Sequence, residues 1–143
     1  MRVSGDRAAH RVYSLVGDCS MRAMIYLSLI LNLVVLIPVC GGLLMNAAWT
    51  GSAYGEPSAA RQILLCVYLS IALMSVLLLI RPDPRMVATM LLLQVVYKLA
   101  TPFLVGAWQN PVVLSNLGIS IVHAATLVFI WRATTSAPAQ PGG

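Results

Sequence analysis

The chain has 143 residues, of which 59% are hydrophobic and only 9% charged, with a formal net charge of +5. Its mean hydropathy is +0.87. An average soluble domain carries about 25% charged residues, so these side chains are too few to cover a water-facing surface, which argues against a soluble domain and a disordered chain. The basic residues are too scattered to form the clustered footprint of a nucleic-acid binder.

Residues 1–22 form a basic leader carrying Arg2, Arg7, Arg11 and Arg22. Within it Val12, Leu15, Val16 and Cys19 recur at helical spacing. That pattern suits a short helix on the inner membrane surface, held by apolar contact and anionic lipid. It suits equally a leader whose arginines only set topology. Four apolar segments follow, each near the length of about 20 residues that a 30 Å bilayer core requires. The first, 23–45, is uncharged, and its apolar run is longer than the h-region of a signal peptide. Met45 and Asn46 also stand where a cleavage site needs small residues, so no cleavage is expected.

A break over 46–60, rich in Gly, Ser and Ala, reads as a loop and leads to span two, 62–80. Arg81-Pro82-Asp83-Pro84-Arg85 then stops the helix, because two prolines cannot sit inside it. So short a link makes spans two and three an antiparallel hairpin. Span three, 86–106, contains one charge, Lys98. Trp108-Gln109-Asn110-Pro111 turns the chain into span four, 111–131. The last segment, 133–143, is rich in Pro, Ala and Gly and is expected to be disordered.

The fold expected is an all-α membrane protein, an antiparallel four-helix transmembrane bundle occupying 23–132. The short loops set its orientation. Arg2, Arg7, Arg11, Arg22, Arg81, Arg85 and Arg132 fall on one side and only Arg61 on the other. By the positive-inside rule both termini are cytoplasmic. Composition favours a bacterial inner membrane.

Function has to be sought in the polar side chains inside the spans. Lys98 leads, since a charge at mid-bilayer costs about 2.5–3.5 kcal/mol on insertion scales and usually faces the protein interior. It lies about 12 Å inside its span, and no Asp or Glu stands in any span to pair with it. Either its stem snorkels to water, or it gives up its proton, or an anion from elsewhere meets it. Lipid phosphate, a ligand carboxylate and Glu56 are the sources considered. Gln94, Tyr97 and Thr101 share its face. On span four Asn116, Ser120 and His123 recur on one face, and on span one Ser28 and Asn32 are a turn apart. Pro38 and Pro102 each free a carbonyl one turn back, loosening the outer ends of spans one and three.

These positions suggest a polar cavity opening outward between spans one, three and four, with Lys98, Tyr97, Gln94, Asn116, His123 and Asn32 as candidate ligand-binding residues. The ligand expected is a lipid head group or a small anion. A second reading makes the same residues packing glue in a structural or partner subunit, in a homo-oligomer or with another membrane protein. Under it, small residues such as Gly118 mark helix contacts. A third, a transporter or intramembrane enzyme using His123 and Lys98, lacks the acid such relays use.

No phosphate loop, metalloprotease helix or nucleophile elbow is present. A Ser–Lys dyad of Lys98 with Ser115 or Ser120 is formally possible, but nothing in the spacing favours it. No metal ligand set and no cofactor is expected, because one midplane histidine makes a poor metal site. Cys40 and Cys66 lie near the same end of neighbouring spans, though packed helices usually hold Cα atoms too far apart for a disulfide. Small multidrug exporters also fit four spans into so short a chain, but they depend on a carboxylate in span one, where this chain has Asn32 and no acid.

Overall fold

A computed structural model describes the backbone over residues 3–135 and the side chains over residues 17–135. It contains five helices, α1 Val3–Leu44, α2 Ala48–Tyr54, α3 Ala59–Ile80, α4 Pro84–Val105 and α5 Pro111–Thr135. Four stretches are long and apolar enough to cross a membrane: Gly17–Leu44, Ala59–Ile80, Pro84–Val105 and Pro111–Thr135. The chain is therefore a multi-pass membrane protein, with an apolar surface turned to lipid.

The helix ends follow from local chemistry. Asn46 takes a left-handed φ of 50°, which asparagine tolerates better than most residues, and turns the chain out of α1. Ser58 caps α3 by accepting the Arg61 backbone N–H at 3.2 Å. Asp83 caps α4 by accepting from the Arg85 and Met86 amides at 2.8 and 3.2 Å, and Pro84 fills the first turn, where an N–H is not needed. Gly106 ends α4 at φ 68°, a conformation glycine adopts without a Cβ penalty. Asn110 opens α5 by accepting the Val112 N–H at 2.8 Å.

The four long helices run up and down, and the packed pairs are α1 with α3, α1 with α5, and α4 with α5. Around the bundle the order is thus α3, α1, α5, α4. The seam between α4 and α3 is the one that is not a packed pair. At the end near Asp83 all four helices meet, through Ile25 and Leu29 of α1, Leu78 of α3, Val87 and Leu91 of α4, and Ile130 of α5. At the opposite end, the α2 end, the main buried apolar cluster is made by α1 and α3: Leu36, Cys40, Leu43, Tyr68 and Ile71. Tyr97 of α4 and Tyr54 of α2 pack against its edge.

Several expectations need correction. The 46–60 segment is not merely a loop, because Ala48–Tyr54 forms α2. Spans two and three are antiparallel neighbours in sequence, yet each packs on another helix in preference to the other. Gly118 faces outward, and a Cβ added there would meet nothing within 4 Å. The close glycine contact is Gly42, whose α-carbon lies against the Trp49 indole, so a Cβ would collide with that ring. The Pro38–Gly42 stretch stays helical and is partly packed, with Cys40 in the core. Cys40 is buried, Cys66 exposed, and both are free thiols. The leader is helical from Val3 and enters α1 without a break. The side chains on which its surface-helix reading rests fall mostly outside the described residues. The segment from 133 continues α5 as far as Thr135, and the rest of it lies outside the described residues.

Candidate functional site

Between the two apolar cores lies a layer of buried polar side chains, and it divides into two parts. The deeper part is closed. His123 of α5 is 0% exposed. Its Nε2 lies 3.1 Å from Asn32 Oδ1, and its Nδ1 lies 3.2 Å from Ser28 Oγ, both on α1. A carbonyl oxygen can only accept, so Nε2 carries the ring proton and Nδ1 accepts from the Ser28 hydroxyl. Ser28 Oγ also lies 2.8 Å from Thr126 Oγ1, whose hydroxyl is in reach of the Met24 and Val122 carbonyls as well, at 3.2 and 3.0 Å. On the other flank Asn32 Nδ2 donates to Ser75 Oγ of α3 at 3.3 Å, and Ser75 donates to the Ile71 carbonyl at 2.8 Å. A neutral imidazole satisfies this directional chain. It ties α5 to α1 and α1 to α3, two of the three packed pairs.

The shallower part is not closed in this way. Lys98 of α4 is 4% exposed and does not snorkel. Its Nζ donates to Asn116 Oδ1 of α5 at 3.1 Å and lies 5.1 Å from the Tyr97 ring centroid. Asn116 is its one hydrogen-bond partner among the described residues, although an ammonium has three donors. A turn away, Gln94 is 1% exposed, and among the described residues neither atom of its amide has a partner, nor has the Tyr97 hydroxyl. Each such orphan costs about 1–3 kcal/mol.

Two adjoining cavities flank this part at the α2 end. The larger, about 500 Å³, lies between α2, α3, α4 and α5, with Leu64, Tyr68, Tyr97, Thr101, Val105 and Asn116 among its walls. The smaller, about 200 Å³, lies between α1, α2 and α5, with Lys98, Ser115, Asn116 and Trp49 on its walls. They share Ala53, Tyr54, Tyr68, Val112 and Asn116. Tyr54 and Tyr68 stand edge to face with centroids 6.2 Å apart.

α2 forms the roof of both cavities and is held from three sides. Trp49 seats on Gly42 of α1. Asn110 Nδ2 donates to the Ala53 carbonyl at 3.1 Å, tying α2 to the turn before α5. Arg61 of α3 is 7% exposed and reaches up with both ends of its fork. Nη1 donates to the Gly55 carbonyl at 2.8 Å, and Nη2 donates to Thr50 Oγ1 at 2.8 Å and Asn46 Oδ1 at 3.1 Å. The planar, five-donor guanidinium suits this task better than an ammonium. Burial at the roof pushes the Tyr54 phenol well above its ordinary range, with the neighbouring Tyr68 adding to the shift.

Of the six residues singled out in the sequence, Lys98, Tyr97 and Asn116 come together at the cavities. Gln94 stands a turn below them. His123 and Asn32 belong to the deeper closed chain and line neither cavity. Glu56 does not bond to Lys98, whose partner is neutral. Sequence reasoning missed the roof with Arg61, the Tyr54–Tyr68 wall, and Ser75 and Thr126 as members of the deep chain. Thr126 was findable, since it extends the 116, 120, 123 face by a further turn. No family model, curated protein or solved structure matches the chain.

Proposed function

We propose that this is a non-enzymatic binding or accessory protein of the membrane, with an intramembrane site at Lys98 and Asn116 for an anionic group, either a lipid head group or a small anion. The observation that carries the reading is the buried ammonium of Lys98, which has one neutral partner, no buried carboxylate among the described residues, and a cavity beside it. A buried charge without a counter-ion is costly, and an anion entering the cavity offsets that cost with the two unused donors. Arginine asymmetry supports an orientation with both termini in the cytoplasm and α2 on the far side, in a bacterial inner membrane.

The closed deep chain supports a structural role for His123 and Asn32, which hold helices together while Lys98 and Asn116 bind. Both ring nitrogens of His123 are engaged by neutral neighbours on α1, which supports that structural role.

The test is native mass spectrometry of the purified full chain in detergent, offered phosphatidylglycerol in one series and glycerol phosphate in another. At least one should be retained by the natural protein and lost from Lys98→Met, with Lys98→Arg retaining it. Equal retention by the natural protein and Lys98→Met would overturn the reading.

A further inference from the structure

Resting on the anionic site just proposed, we infer that its ligand is an amphiphile that enters sideways from the bilayer, through the seam between α3 and α4, with its alkyl chain in the larger cavity. Three observations lead there. First, three of the four seams around the bundle are packed pairs, and the α3–α4 seam is not. These helices meet at the Asp83 end through Leu78, Val87 and Leu91. Above Tyr97 they form the two sides of a 500 Å³ cavity, with Leu64 on one and Thr101 and Val105 on the other. Second, the roof is fastened to α1, to α3 and to the turn before α5. The loop end is therefore covered, while the α3–α4 side faces the height of the exposed Ile63 and Leu104, where lipid chains lie. Third, the walls combine apolar Leu64, Val105, Val112 and Val113 with Asn116, which Lys98 holds. That combination suits a molecule with an alkyl tail and an anionic head.

The volume decides between a lipid chain and a helix of another protein. A helix about 10–12 Å across fills roughly 400–600 Å³ for each 5.4 Å turn. The cavity would take a single turn of helix, too little to dock a span. The same volume falls inside the range of about 300–1,000 Å³ usual for small-ligand sites.

The test uses the full chain with Trp108→Phe and Trp131→Phe, so that Trp49 on the wall of the smaller cavity is the sole indole. The protein is placed in phosphatidylcholine nanodiscs with a minority of phosphatidylglycerol brominated on its acyl chains. Control discs hold the same fraction of brominated phosphatidylcholine. Bromine should quench Trp49 with a preference of about tenfold for the anionic lipid, the size of one charge-assisted hydrogen bond. Lys98→Met should abolish the preference and Lys98→Arg should keep it. Leu64→Phe with Thr101→Phe fills the seam, leaves Lys98 in place and should also abolish it, while glycerol phosphate, which has no tail, should not relieve the quenching. If glycerol phosphate competes through Lys98 and the filled seam changes nothing, the sideways entry is overturned and the anionic site stands. If Lys98→Met leaves the preference intact, both fail. If Leu64→Cys in a Cys-free chain cross-links two copies in good yield, a second copy occupies the seam and the inference is overturned.

Discussion

The Lys98 ammonium donates to the Asn116 amide oxygen at 3.1 Å, across the packed interface of α4 and α5. A charge with one neutral partner makes a definite forecast about stability. Asn116→Leu should destabilise the protein in detergent by about 1.5–3 kcal/mol, because it strips the ammonium of its hydrogen bond. Adding Lys98→Met should recover part of that loss, since charge and partner then leave together. Unfolding monitored by circular dichroism would measure both. A neutral Asn116→Leu would mean that the lysine reaches water by another route.

His123 is expected to separate stability from binding. His123→Ala leaves Asn32 and Ser28 without their ring partner and opens a void beside them. The loss should be roughly 2–4 kcal/mol, mostly from the cavity, because hydrogen bonds between membrane helices average only about 0.6 kcal/mol. The preference for anionic lipid should be unchanged in the same variant. If the preference vanished while the melting curve stayed put, the histidine would belong to the site and the division into two layers would be wrong.

Gln94 tests the opposite sign. Its amide is buried with neither atom partnered, so Gln94→Leu, similar in size and apolar, should stabilise the bundle by about 1–3 kcal/mol. A loss of more than about 1 kcal/mol in the same assay would show that the amide is engaged by something bound there.

Much of the architecture was legible because a bilayer imposes a strong rule: backbone groups must be satisfied within the helix. Apolar runs of fitting length, only one of them carrying a charge, with Asp83 and Gly106 at their ends, therefore read directly as spans. The inward direction of Lys98 and its partnership with Asn116 were not legible. Both depend on which faces of α4 and α5 meet, and hydropathy does not carry helix rotation. Gly118 shows the same limit, since a small residue marks a contact only if its face is turned inward. α2 escaped because Ala48-Trp49-Thr50-Gly51-Ser52-Ala53-Tyr54 lacks the length and periodicity of a span. It stands on fastenings from Arg61, Asn110 and Gly42, which lie outside the segment, Asn110 far along the chain. Arg61 itself entered the sequence reading only as a topological charge, and no local pattern reveals that its fork holds a roof.

The unpacked α3–α4 seam also bears on how the protein is built. The short link at Asp83 joins two helices that each find their main partner elsewhere. α3 packs on α1, already made when it emerges, whereas α4 must wait for α5. The chain is thus two helix pairs laid down one after the other and then joined through α1 and α5 and the apolar cluster around Leu29 and Leu91. A molecule assembled in this way could be cut at the Asp83 link and still find its own halves, because the covalent connection there is not what keeps them together.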